Sequence, residues 1–94
     1  MKLKEKLSKL INEGEQVKSR NLKQSSSMGG DYIVGEEYEN WIAKCIILLE
    51  SDVTVFNQTL VKKFITASDR AVGNDSGYYD TMMGILKAFN DSIE

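Results

Sequence analysis

Apolar residues recur at helical spacing near the start of the chain. Over residues 2–23 they fall at the i, i+3, i+4 and i+7 positions of one helix face. Their positions are Leu3, Leu7, Leu10, Ile11 and Val17. Gly14 lies on the same stripe, where it either allows a neighbouring helix to approach closely or marks a bend. The pattern predicts a first amphipathic helix with a polar outer face.

The same spacing predicts three further helices and two loops. The helices cover residues 36–50, 53–68 and 78 to the end, and the loops cover residues 24–35 and 69–77. Ser51 and Asp52 are suited to cap the third helix, which makes its link to the second helix very short. Asp75 and Ser76 are suited to cap the fourth helix. The chain has no proline to break these helices, and no stretch alternates as a β-strand would.

Together these elements predict an all-α fold, a compact antiparallel four-helix bundle in which residues 1–94 form a single helical domain. The second helix has the widest apolar face and is expected at the centre. Tyr32, Ile33 and Val34 are expected to hold the first loop against the core. The predicted core comprises Leu7, Leu10, Trp41, Cys45, Leu49, Phe56, Leu60, Phe64, Leu86 and Phe89.

Charge is distributed unevenly along the 94 residues, whose net charge is -2. Residues 1–23 contain seven basic and three acidic residues, whereas residues 24–94 contain five basic and eleven acidic ones. A basic first helix can dock on nucleic acid, on anionic lipid or on the acidic remainder of its own fold, and the last is expected here. A pI near 5.2 argues against nucleic acid as a partner.

The residue types available exclude several kinds of site. One cysteine, Cys45, cannot form a disulfide within the chain, and the absence of histidine removes the usual zinc sites and the usual base for a cysteine nucleophile. Cys45 is flanked by apolar residues and is expected to be a buried packing residue. No apolar run is long enough to span a membrane. The sequence thus predicts a cytoplasmic, non-enzymatic protein with no catalytic residues, metal or cofactor.

A few residues could contact a small ligand. Tyr78 and Tyr79 cannot both face the core, so one is expected to be exposed near Arg70, where it could stack on a nucleotide base. Arg20 and the glycine-containing loop at Ser25–Gly30 are the other candidate contacts. These residues define the alternative prediction, a module that senses or sequesters a nucleotide.

Three stretches taken together resemble a known kind of module. They are Leu10-Ile-Asn-Glu-Gly-Glu-Gln-Val17; Tyr32-Ile-Val-Gly-Glu-Glu-Tyr-Glu-Asn-Trp41 with Lys44-Cys45 and Leu49-Glu50; and Gly84-Ile-Leu-Lys-Ala-Phe89 with Asp91-Ser-Ile-Glu94. In order and spacing they resemble a small helical accessory module of bacterial proteins, which often precedes TIR-like or nuclease-like effector domains in anti-phage defence. The resemblance implies an interaction, oligomerisation or sensing role beside an effector. The leading prediction is therefore a regulatory module that binds a protein partner or a second copy of itself.

Overall fold

The fold contains four helices and one small sheet. A computed structural model describes residues 2–24 and 30–93. The elements in chain order are α1 (Leu3–Asn21), β1 (Leu22–Gln24), β2 (Asp31–Ile33), α2 (Glu36–Glu50), α3 (Gln58–Ala71) and α4 (Gly77–Ser92). The prediction of a mainly helical chain is confirmed, and α1, α2 and α4 begin and end within two residues of the predicted limits wherever the structure describes them.

The two strands correct the prediction of a purely helical fold with a plain loop over residues 24–35. β1 and β2 pair antiparallel, with Leu22 opposite Ile33. The Ile33 side chain is only 1% exposed, and its carbonyl accepts a hydrogen bond from the Gly73 amide at 2.9 Å. Pairing of the two strands provides hydrogen-bond partners for the backbone N–H and C=O groups of this segment, which would otherwise be buried without partners. Three residues per strand are too few to produce a visible alternation in the sequence.

The third helix begins later than predicted, which corrects both its limits and its cap. Asn57 is the N-cap, because its side chain accepts a hydrogen bond from the Leu60 amide at 3.1 Å. The Asp52 carboxylate instead accepts bonds from the amide and hydroxyl of Thr54, at 3.0 and 2.6 Å, and closes a separate turn. Residues 51–57 therefore form a longer connection, in which Val53 is 65% exposed.

Helix packing is uneven around the molecule. α1 packs against α2 and α4, and α3 packs against α4, whereas α2 and α3 make only sparse contacts. The predicted four-helix bundle is therefore not confirmed, although the radius of gyration of 13.3 Å is close to the ~13 Å expected for a compact domain of about this length. Nine of the ten predicted core residues are buried. The exception, Leu60, lies in the first turn of α3 and is half-buried.

Gly14 and Trp41 form the closest approach between helices in the core. A Cβ atom placed on Gly14 would lie 2.5 Å from Cζ2 of Trp41 and 2.7 Å from Cε of Met83. Trp41 is fully buried and donates a hydrogen bond from Nε1 to the carbonyl oxygen of Leu10 at 2.8 Å. Of the two interpretations of Gly14, the structure supports close helix approach: the missing side chain leaves the space that the indole occupies.

Candidate functional site

A groove between α3 and α4 combines two of the residues that the sequence nominates. Arg70, near the end of α3, and Tyr78, in the first turn of α4, both line it. Its volume is about 520 Å³, within the range of ~300–1,000 Å³ typical of ligand sites. We call it the α3–α4 groove. Its lining residues are Thr59, Lys62, Lys63, Thr66, Ala67, Arg70, Tyr78 and Thr81.

The α3 side of the groove is cationic. Lys63 and Arg70, seven residues apart, lie on one exposed face of α3. Lys62 lies at the edge of that face and also lines the groove. None of the three forms an ion pair with another residue in the part of the chain that the structure describes. Asp69, the only acid of α3, lines a different groove, toward α2. The positive charge of the α3–α4 groove is therefore not neutralised from within the groove.

The turn between α3 and α4 places Tyr78 opposite Arg70. The Asp75 carboxylate accepts a hydrogen bond from the Gly77 amide at 2.6 Å, and the Ser76 amide donates to the Asp31 carbonyl of β2 at 2.8 Å. The sheet thus holds the start of α4 in position. Of the two predicted caps, Ser76 occupies the N-cap position but makes no side-chain cap bond, and the Gly77 amide donates instead to the Asp75 carboxylate one residue earlier. As a result Tyr78 is half-buried, with its ring at the groove.

Tyr79 lies outside the groove. It is 4% exposed and packs against Trp41, with 5.9 Å between the ring centroids. Lys18 places its ammonium 5.2 Å from the centroid of the Tyr79 ring, a cation–π contact. Burial raises the pKa of Tyr79 to about 12. The sequence predicts that one of the two tyrosines is exposed; Tyr79 is buried, and Tyr78 is half-buried rather than exposed, so the prediction holds only in part.

Arg20 is also separate from the groove and has a different set of contacts. Its Nε donates to Oε1 of Glu37 at 3.2 Å, and its Nη2 pairs with Oε2 of the same carboxylate. Asn21 donates to Glu37 as well, at 2.6 Å. The hydrogen bonds from Arg20 and then Asn21 lower the pKa of Glu37. This cluster joins the end of α1 to the start of α2.

The lowered pKa of Glu37 predicts a pH-dependent contribution to stability. A carboxyl whose pKa is lower in the folded chain stabilises the fold above its unfolded pKa, and this contribution is lost as the pH falls through the folded value. We expect Glu37→Gln to lower Tm slightly at pH 7 and to lose this effect progressively as the pH falls below the unfolded pKa and through the lowered folded pKa. The size is small because the pair is exposed to solvent. Glu39→Gln is the matched control, because Glu39 is exposed and has no ion pair with a described residue. An equal effect of both variants at pH 7 would contradict the role given to Arg20.

The remaining nominated features lie elsewhere. Of the Ser25–Gly30 loop, residues 25–29 lie outside the described part of the chain. Cys45 is fully buried, which confirms its expected packing position, and burial raises the pKa of its thiol. Among residues 2–24 and 30–93, no three His, Cys, Asp or Glu side chains gather as a metal site.

The sequence does not reveal most of the groove residues or which large apolar side chains are exposed. Lys62 and Lys63 are not among the nominated residues, although Lys63 is seven residues from Arg70 and therefore on the same helix face. The exposed apolar side chains are also missed, because several adjacent apolar residues leave open which one faces outward. They are Ile47 at 72%, Val53 at 65% and Val55 at 44% exposed.

Comparisons with known proteins neither support nor contradict the family resemblance. Neither protein-family models, nor curated proteins, nor solved structures gave a match to this chain.

No helix in the described residues is both long and apolar enough to cross a membrane.

Proposed function

We propose that the protein is a non-enzymatic interaction module that binds an acidic surface of a protein partner in the α3–α4 groove. One observation carries this proposal: Lys62, Lys63 and Arg70 line a single groove without an ion-pair partner among the described residues. Unpaired charges of one sign in a concave surface attract an oppositely charged partner and speed its association.

The composition of the groove favours binding over catalysis. Its lining contains no carboxylate and no thiol, and the chain has no histidine, so the commonest bases and nucleophiles are missing there. Ala67 and Tyr78 add apolar surface, which suits the mixed character of protein interfaces. The resemblance to accessory modules of bacterial defence effectors favours the same role, with the partner or its effector domain regulated by the contact.

A nucleotide is the second candidate ligand. Arg70 and Tyr78 face the same groove, so a guanidinium and an aromatic ring are available for a phosphate and a base respectively. The hydroxyl-bearing residues Thr59 and Thr66 could add hydrogen bonds. Arg20 and Tyr79 do not share this groove and are not part of the proposed contact.

Binding of a labelled oligoglutamate peptide, measured by fluorescence anisotropy, tests the proposed function. We expect binding at low salt that weakens strongly near 0.5 M salt, where screening shortens the reach of exposed charges to about 4 Å. Lys62→Ala/Lys63→Ala should raise Kd roughly threefold to tenfold, as expected for two exposed ion pairs. Lys6→Ala/Lys9→Ala is the matched control, because it removes two exposed lysines of α1 outside the groove.

The control variant and a parallel measurement with nucleotides distinguish an acidic protein partner from a nucleotide ligand. Equal weakening by the two double variants would contradict the groove as the binding surface. ATP and AMP are tested in parallel by thermal shift, where a ligand at 100 times its Kd adds about 2.7 kcal/mol of stability. A shift abolished by Arg70→Ala and by Tyr78→Leu, together with no peptide binding, would replace the proposed partner with a nucleotide.

A further inference from the structure

The outward face of α2 is a second exposed surface, and only its Glu39 and Ala43 also border the groove that contains Asp69 of α3. This outward face lies opposite the buried side of the helix, because positions four, seven, eleven and fourteen apart return to one face. We call it the α2 stripe. Its members are Glu36, Glu39, Asn40, Ala43, Ile47 and Glu50, all exposed.

The acidic groups of the α2 stripe are free of internal ion pairs. Glu36, Glu39 and Glu50 form none with another described residue. By contrast, Glu37, on the flank of the helix, is held by Arg20, and Lys44 is held by Glu13 at 2.7 Å. The one lysine of α2 therefore points away from the stripe and does not neutralise it.

The centre of the α2 stripe is apolar. Ala43 and Ile47 lie one turn apart between the acidic ends, and the Ile47 side chain is 72% exposed. Burying a large aliphatic side chain with this exposure against a partner would stabilise the complex, because apolar surface is removed from water. The stripe thus has the composition of an interface, an apolar centre with a charged rim.

The α3–α4 groove complements the α2 stripe in charge and in pattern. It has three cations where the stripe has three carboxylates, and Ala67 and Tyr78 where the stripe has Ala43 and Ile47. Fourteen residues separate Glu36 from Glu50, about 21 Å along the helix, and eight separate Lys62 from Arg70, about 12 Å. The three cations therefore match part of the acidic pattern, and the pair Glu39 and Glu50, about 16 Å apart, is closest to them in length.

We propose that the α2 stripe of one copy of this chain lies in the α3–α4 groove of a second copy. The stripe faces away from the core of its own fold, so it cannot enter the groove of the same chain while the fold is intact. This inference rests on the proposed function and identifies the acidic partner surface as a second copy. Because the two surfaces differ, each copy offers both, and the contact leads either to a reciprocal pair or to a ring or chain of copies.

Sedimentation velocity of the full chain, from about 10 μM to about 1 mM, tests the proposal over the weak affinities typical of small, transient interfaces. We expect the wild-type chain to self-associate. A groove variant, Lys62→Glu/Lys63→Glu, and a stripe variant, Glu39→Lys/Glu50→Lys, should each raise Kd at least about tenfold, because like charges then face each other. All four positions are exposed, and circular dichroism checks that both variants fold.

Mixing the two variants provides the decisive arm. The reversed groove of the first matches the reversed stripe of the second, and the intact surfaces also match, so the mixture should regain association within about threefold of the wild-type Kd. Ile47→Ser should weaken association about tenfold, whereas Val53→Ser, a similarly exposed position outside the stripe, should not.

The outcomes separate this inference from the proposed function. A wild-type chain that stays monomeric at about 1 mM would overturn the self-association, while groove-dependent oligoglutamate binding would leave the proposed function standing. Self-association that survives both charge reversals, or two variants that do not rescue each other, would also overturn the inference. Oligoglutamate binding that ignores the groove would remove the proposed function and the partner assignment together.

Discussion

Gly14→Ala should destabilise the fold by about 1–2 kcal/mol, although alanine is the better helix former by about 1 kcal/mol. The added Cβ would lie 2.5 and 2.8 Å from two carbons of the Trp41 indole. The Met83 methyl, at 2.7 Å, ends a flexible side chain and can turn aside. The indole cannot, because its Nε1 is hydrogen-bonded to Leu10 and its ring packs against the rings of both Tyr38 and Tyr79.

Urea denaturation measures this effect, and Gly84→Ala provides a matched control. Gly84 also lies inside a helix, but a Cβ there would meet nothing within 4 Å. Gly84→Ala should therefore raise the free energy of unfolding by up to about 1 kcal/mol, the helix-propensity gain alone. A shift of the urea midpoint in the same direction for both variants would contradict the close approach at Gly14.

Trp41→Phe should cost about 2–4 kcal/mol in the free energy of unfolding. Phenylalanine has no side-chain N–H, so the Leu10 carbonyl loses a buried donor that lies at 2.8 Å in the native chain. The smaller ring also leaves a cavity where the indole filled the core, since Trp41 is fully buried. The same denaturation experiment gives this value, and a cost under ~1 kcal/mol would show that the indole hydrogen bond contributes little.

The two substitutions should be strongly non-additive. Cζ2 and Cε2 of Trp41, the carbons nearest to a Cβ placed on Gly14, belong to the fused ring system that phenylalanine lacks. In the Trp41→Phe background, Gly14→Ala should therefore lose most of its cost, a coupling of about 1–2 kcal/mol. Additive effects within ~0.5 kcal/mol would mean that the indole does not set the limit at Gly14.

The groove shows how far residue chemistry alone extends toward function. The sequence nominates Arg70 and Tyr78 because an exposed aromatic near a basic residue suits an anionic or planar ligand, and the structure places both in one groove. Tyr79 and Arg20 are nominated on the same chemistry but lie elsewhere, one in the core and one in an ion pair. Residue type indicates what a side chain can bind, whereas helix phase and docking decide which side chains meet.

Competing cap residues and one tertiary contact together explain why the predicted start of α3 is too early. Ser51, Asp52 and Asn57 are all good cap residues, so the sequence offers competing helix starts. Phe56 decides between them: it is 2% exposed and packs edge-on against Phe89 of α4, with 4.9 Å between the ring centroids. Anchoring Phe56 in the core ends the preceding turn and leaves Asn57 as the cap.

The sequence by itself determined the mainly helical character, the approximate limits of α1, α2 and α4, and nine of the ten predicted core residues. These features follow from the periodicity of apolar residues, which is a local property. Only the tertiary structure decided the pairing of β1 with β2, the packing of Trp41 on Gly14, and the joining of Lys62, Lys63 and Arg70 with Tyr78 in one groove. Each of these depends on contacts between residues distant in the chain, whose geometry is set by how helices dock and not by any local pattern.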